Sequence, residues 1–167
     1  FIGCNVTIPH KETAYKAVAA PDRIAQRLGA VNTVYIRGNQ VCGTNTDGEG
    51  FLASLKSEFP EFEFGKSKVI VLGAGGGARA IVGALCDEGV PAIGMRNRTP
   101  GRVRDLKIQF GASIHQIEDS ELLASLSGCD LLINTTPLGM DSQPALALDL
   151  HTLNPKAIVA DIVYSPL

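Results

Sequence analysis

One stretch of the chain carries the residue types and spacing for anion chemistry: Gly73-Ala74-Gly75-Gly76-Gly77-Ala78-Arg79. Positions 73, 75 and 78 fit G-x-G-x-x-G/A, between an apolar run and a helix-forming segment, which is the context a dinucleotide fingerprint requires. Gly73 permits a tight turn, Gly75 lets the backbone approach a pyrophosphate, and the small Ala78 lets helix pack on strand. Ala74, Gly76 and Gly77 complete the loop, and the free N–H groups of the helix start donate to an anion. A plain glycine-rich turn is the alternative. The choice of nucleotide falls to residues roughly 20 positions on, where an NAD site carries Asp or Glu. Here stand Met95-Arg96-Asn97-Arg98-Thr99, with Arg102 in the next helix. An acid is missing and three guanidinium groups are present, and their planar forks suit a 2′-phosphate. NADP is therefore the expected cofactor. The competing reading, a solvated basic helix start, would set cations against the positive end of the helix dipole.

The elements that must position this loop alternate along residues 68–167. Strands are expected at Lys68–Leu72, Ala92–Arg96, Ser113–Ile117, Asp130–Asn134 and Ala157–Ile162, and helices at Gly77–Asp87, Pro100–Phe110 and Ser120–Leu126. Continuous apolar strands such as VIVL, LLI and AIVA belong to a parallel sheet covered on both faces. Strand–helix alternation predicts an α/β, doubly wound, Rossmann-type sheet. Residues 1–57 read differently. Asn5–Ile8 is a short strand stopped by Pro9, and helices follow over Lys11–Ala20 and Arg23–Leu28. Val31–Arg37 and Gln40–Thr44 form a hairpin joined at Gly38-Asn39, a two-residue turn signal. Thr46-Asp47 caps a helix running through Phe51, Leu52 and Leu55. This first part reads as part of a smaller α/β domain, and the charged, Pro/Gly-punctuated residues 58–67 as the linker.

Composition narrows the function classes. The 167 residues are 45% apolar and 19% charged, with 18 glycines and no tryptophan, which excludes a disordered tail. A net charge of −2 gives no global attraction to nucleic acid or to anionic lipid. Cys4, Cys42, Cys86 and Cys129 stand far apart with no C-x-x-C pair, so no metal site is expected and free thiols in a cytoplasmic protein are. The longest apolar run, Val69 to Ala78, is half of what a bilayer span needs. The lack of an initiator methionine and an end directly after a strand-like run lead to the expectation of a piece of a longer chain.

Several motifs together resemble one family. NVTIPHK (Asn5–Lys11), GAVNT (Gly29–Thr33), NTDGEGF (Asn45–Phe51), GAGGGAR, NRT with Arg102, NTTPLGM (Asn134–Met140) and DIVYSPL (Asp161–Leu167) look like the shikimate/quinate dehydrogenase family, in register along the whole chain. The resemblance implies an N-terminal substrate domain, a Rossmann domain, and reduction of 3-dehydroshikimate to shikimate with NADPH on the route to chorismate and the aromatic amino acids. It implies Lys11 and Asp47 as the catalytic pair, since hydride reduction of a ketone creates an alkoxide that needs a proton donor within hydrogen-bond reach. By the same resemblance Thr7, Asn32 and Tyr164 contact substrate and Ile162 packs near the nicotinamide, while Thr135 and Thr136, at the carboxyl end of a parallel strand, stand where ligands of open α/β sheets bind and are expected beside the cofactor. The family's carboxylate-binding serine motif and C-terminal glutamine would lie outside residues 1–167. A quinate/shikimate or aminoshikimate dehydrogenase, and a non-catalytic NADP-binding module, stay open, as does a homodimer. The expected partners are small molecules, not nucleic acid or membrane.

Overall fold

The structure is a computed structural model, and it describes residues 2–163 and Ser165. The chain divides into two compact units: Phe1–Phe62 with Gly76–Ala84, and Glu63–Gly75 with Leu85–Leu167.

The first unit is built on a four-stranded mixed sheet. In chain order its elements are β1 (Gly3–Asn5), α1 (Lys11–Ala17), β2 (Ala20–Pro21), α2 (Arg23–Leu28), β3 (Thr33–Arg37), β4 (Gln40–Thr44) and α3 (Asp47–Glu58). The sheet order is β1-β3-β4-β2, with β2 parallel to β4 and the other pairs antiparallel. The expected hairpin is present, with Gly38 at φ +62° as its turn requires. Gly29, at φ +63°, ends α2 and donates its N–H to the Ala25 carbonyl.

Three boundaries depart from expectation. β1 is centred earlier than Asn5–Ile8, because Gly3, Cys4 and Asn5 pair with Tyr35, Val34 and Thr33 and the chain then turns. α1 stops at Ala17 rather than Ala20: Ala19 N–H donates to the Val41 carbonyl, and Ala20 and Pro21 join β4 as an edge strand. The third strand begins at Thr33, since Val31 N–H donates to the Lys11 carbonyl and Asn32 N–H to that of Thr44.

The second unit carries a five-stranded, wholly parallel sheet. Its strands are β5 (Lys68–Leu72), β6 (Ala92–Arg96), β7 (Ile114–Gln116), β8 (Leu131–Asn134) and β9 (Ile158–Asp161), in the order β7-β6-β5-β8-β9. This is the doubly wound order with the switch point beside β5. α4 (Gly76–Asp87) joins β5 to β6, α5 (Pro100–Phe110) β6 to β7, and α6 (Asp119–Leu126) β7 to β8. Val69, Ile70, Val71, Leu72, Leu131, Leu132 and Ile133 are all buried, so both faces of these strands are covered. On one face Ile70, Leu72 and Leu132 meet Leu126, Cys129 and Ile117, closed over by Leu122, Leu146, Leu148 and Leu153. Each fully buried Leu or Ile contributes about 1.5–3 kcal/mol of transfer free energy, so this layer fixes where the strand ends lie. The expected linker is itself partly structured: Phe64–Lys66 forms a 3-10 turn and Phe64 is buried. Among the described residues, no helix is long and apolar enough to cross a membrane.

Candidate active site

Lys11 and Asp47, 36 positions apart, each open a helix of the first unit, and their side chains meet. Lys11 Nζ donates to Asp47 Oδ2 at 2.8 Å, with the two side chains 17% and 23% exposed. Each end of this pair is held by backbone. The turn before α1 is closed by His10 N–H donating to the Thr7 carbonyl, and the Lys11 carbonyl accepts from Val31, which is fully buried. The stem of Lys11 lies against Gly76, where an added Cβ would come within 3.0 Å of Lys11 Cβ. Asp47 N–H donates to Asn45 Oδ1 at 3.0 Å, while Asn45 Nδ2 donates to the Ala30 carbonyl at 3.1 Å. Asn45 is 3% exposed, so these two bonds fix the start of α3 against the 30–32 segment. The next residue, Gly48, lies so close to Ala80 that a Cβ would come within 2.6 Å of the Ala80 carbonyl oxygen.

Asn32 is the third member. Its Nδ2 donates to Asp47 Oδ1 at 2.8 Å and to Thr46 Oγ1 at 3.0 Å, and its Oδ1 accepts from Thr46 N–H and the Thr33 hydroxyl. Both hydrogens of the carboxamide are thus directed at the Asp47 turn, so Asn32 aims the carboxylate. The expected capping of α3 by the Thr46 side chain is absent, because that hydroxyl faces Asn32 instead. Asp47 carries one cation on one oxygen and one amide on the other, at a helix start whose dipole favours negative charge. Lys11 has three donor hydrogens, one spent on Asp47, and among the described residues no acceptor takes the other two. The arrangement offers an oriented ammonium that can give a proton to an oxygen, next to a fixed carboxylate that can accept from a hydroxyl. Thr7 is exposed nearby in the turn before α1. Tyr164 lies outside the described residues.

In the second unit, Gly73 follows β5 at φ +103° and donates its N–H to the Arg96 carbonyl. A Cβ there would approach Thr135 Oγ1 to 2.6 Å, so only glycine fits both the angle and the space. Gly75 has nothing within 4 Å of its missing Cβ, an open side toward which a pyrophosphate can approach. Ala74 and Ala78 are buried and Gly76 and Gly77 half-buried. This cradle fits a dinucleotide on its geometry. Thr135 is buried, and its hydroxyl and N–H both donate to the Leu72 carbonyl, at 2.6 and 2.8 Å, which makes it a wall under Gly73.

Asn97 Nδ2 donates to the Thr99 carbonyl at 2.9 Å, folding the loop after β6 and leaving Arg98 and Thr99 exposed. Arg102, in the first turn of α5, is exposed beyond it. Arg96 is committed within the protein: its Nε donates to Asp119 Oδ1 at 2.7 Å. That hydrogen bond and charge raise the Arg96 pKa and hold the Asp119 carboxyl below the usual range. Of the three guanidinium groups counted in the sequence, this one is therefore already engaged by a carboxylate. Ile162 is exposed just past β9. The structure also gives roles to Asn45, Asn134 and Asp161, which sequence reasoning leaves unassigned. A signal for the last two exists, in that each is a polar residue ending an apolar strand.

The family model described as shikimate dehydrogenase substrate binding domain matches residues 1–34, and that described as shikimate / quinate 5-dehydrogenase matches residues 54–140. The shikimate dehydrogenase (NADP(+)) of Rhizobium meliloti strain 1021 is 45% identical over all of this chain and 58% of its own length. The chain thus spans about three fifths of the curated relatives it matches. Among solved structures, shikimate 5-dehydrogenase from Thermus thermophilus in complex with NADP(H) and shikimate aligns with a TM-score of 0.83 at 35% identity, over 100% of this chain and 60% of that one. Quinate dehydrogenase from Corynebacterium glutamicum in complex with NAD aligns at 0.86 and 28% identity, over 99% and 60%. With the second family model covering more than half of the residues, and with a glycine cradle and a paired lysine in the same chain, the chain belongs to the shikimate/quinate dehydrogenase family.

Proposed function

We propose that this protein is an NADP-dependent shikimate dehydrogenase, reducing the ketone of 3-dehydroshikimate to shikimate for aromatic amino-acid synthesis. The observation that carries the reading is the Lys11–Asp47 pair at 2.8 Å, fixed by Asn32 and Asn45. NADPH, when bound, supplies the hydride. Lys11 Nζ delivers the proton to the oxygen that becomes the alcohol, its charge also stabilising the developing alkoxide. Asp47 orients the ammonium and accepts from a substrate hydroxyl, and in the oxidative direction Lys11 takes the proton back. Thr7 and Tyr164 are assigned to substrate hydroxyls, and Asn32 acts chiefly by holding Asp47. Gly73 to Gly77 would hold the pyrophosphate, Asn97, Arg98, Thr99 and Arg102 the 2′-phosphate, and Thr135 and Ile162 would flank the cofactor.

The likeness to an NAD-bound quinate dehydrogenase favours a second reading, oxidation of quinate. The Arg98 and Arg102 pair and the lack of an acid at Met95–Thr99 support NADP and the first reading. The reading extends to a cytoplasmic enzyme, supported by four unbridged cysteines, and to a homodimer. Steady-state assays of the protein expressed from its complete reading frame, with shikimate and quinate each paired with NADP and NAD, test it. The expected optimum is shikimate with NADP. A higher kcat/KM for quinate with NAD would replace the first reading by the second.

A further inference from the structure

The carboxyl ends of β8 and β9 are joined by a set of side-chain bonds that the sheet ladder does not require. Asn134, the last residue of β8, is 4% exposed, and its Nδ2 donates to both oxygens of Asp161, at 3.0 and 3.1 Å. Asp161 is the last residue of the neighbouring β9, and its Oδ1 also accepts from Val163 N–H at 2.8 Å. Asn134 Oδ1 accepts from the N–H and the hydroxyl of Thr136, at 3.0 and 2.7 Å, and Thr136 Oγ1 then accepts from Leu138 N–H. Ile162 N–H closes the set on the Asn134 carbonyl at 3.2 Å. On its other side the same segment meets the glycine turn after β5. A Cβ on Gly73 would reach Thr135 Oγ1 at 2.6 Å and Thr136 Cγ2 at 3.2 Å.

The Asn134 carboxamide is buried and Asp161 exposed, and the bond between them is separate from the pairing that β8 and β9 already make through their backbones. What it does provide is direction. Two loops leave adjacent strand ends, and this pair sets the path of both, at the end of an open sheet where ligands bind. We propose that Asn134 and Asp161 are positioning residues for the cofactor: together they hold Thr135–Leu138 and Ile162–Val163 as a preformed wall facing the glycine turn. The inference rests on the cofactor reading above.

The test uses the polarity of the pair. In Asn134→Asp two carboxylates face each other and the donor is lost. In the double variant Asn134→Asp/Asp161→Asn the donor and acceptor are exchanged. The carboxylate then at position 134 would still accept from Thr136. The carboxamide then at position 161 would donate to it, and its oxygen would accept from Val163. The bond between the 134 side chain and the second atom of residue 161 is kept with its direction reversed, while the contact to the oxygen that serves Val163 and the long 3.4 Å contact from Asn134 Nδ2 to the Leu138 carbonyl are lost. The measurement is NADP titration of the protein from its complete reading frame, with thermal melting of the cofactor-free form in parallel. Asn134→Asp should raise the NADP Kd about tenfold or more, as expected for loss of a charge-assisted bond, and the exchanged pair should return it to within about threefold. A Kd unchanged in Asn134→Asp while the melting temperature falls would overturn the proposal, because the pair would then serve the fold alone. Recovery of melting temperature without recovery of Kd in the exchanged pair would overturn it too. Wild-type turnover of 3-dehydroshikimate is measured alongside: NADP binding without turnover would remove the proposed reaction and leave the positioning pair standing.

Discussion

Replacing Lys11 by methionine separates chemistry from packing, because the methionine keeps an apolar stem against Gly76 and loses only the ammonium. If Lys11 is the proton donor, its loss acts in the transition state. General acid catalysis contributes about 10²–10⁴ in rate, which at about 1.36 kcal/mol per decade is roughly 3–5 kcal/mol of barrier. The fold should lose less. Lys11 and Asp47 are each more than three quarters buried, so breaking their contact costs more than the ~0–1 kcal/mol of an exposed pair. It costs less than the ~3–5 kcal/mol of a fully buried one, since Asp47 keeps the Asn32 amide, the helix start and some water. A loss of about 1–2 kcal/mol, at roughly 2–4 °C per kcal/mol, lowers the melting temperature by about 2–8 °C. The variant should thus stay folded at 25 °C and lose most of its turnover. The assay is steady-state reduction of 3-dehydroshikimate with both substrates varied. kcat should fall much more than KM rises, and adding Asp47→Asn should lower kcat by less than the product of the single effects, because the two act as a unit. A Lys11→Met enzyme keeping more than about a tenth of wild-type kcat would refute the assignment, since that loss is less than the smallest general-acid contribution. So would strictly multiplicative losses.

Removing both Arg98 and Arg102 should weaken NADP binding on the order of a hundredfold, less at high salt, and leave NAD within about twofold; paired titrations read this directly. Cys129 is fully buried and its thiol is pushed up to about 11, mainly by burial, so at pH 8 roughly one in a thousand molecules carries the thiolate. Iodoacetamide with mass mapping should therefore label the exposed Cys4 first and reach Cys129 only after unfolding. Asp119 has its folded pKa below the ordinary value, so its contribution to stability is present at neutral pH and is lost as pH falls through that depressed value. Melting curves of wild type and Asp119→Asn should differ slightly at pH 7 and converge only once the pH falls below the ordinary carboxylate range.

The second unit is legible in the sequence because its signals are local. VIVL and LLI are buried on both faces and read as parallel strands, and α5 is bracketed by Pro100 at its start and Gly111 at its end, as expected. Gly38-Asn39 marks the hairpin just as directly. The departures in the first unit share one cause. Pro21 marks a local stop, but β2 is two residues long and pairs with β4, and that pairing rather than the local sequence ends α1 at Ala17 instead of Ala20. The cap of α3 follows the same pattern. Thr46 is a good capping residue by type, yet its hydroxyl is claimed by Asn32, 14 positions earlier.

The site divides along the same line. Gly73 can be read from its motif, since its φ of +103° and the neighbouring Thr135 leave no room for another residue. Asn45 cannot, and Asn134 and Asp161 show only as polar residues ending apolar strands, because the role of each comes through a partner brought up by the fold: Ala30 for Asn45, and β8 against β9 for the other two. Arg96 shows the reverse error. In the sequence it is one of three equivalent cations in MRNRTPGR, and only the parallel pairing of β6 with β7 puts the start of α6, and so Asp119, within reach of its guanidinium. A count of charges along the chain therefore overstates the phosphate-binding capacity of this loop by including Arg96, whose guanidinium already faces Asp119.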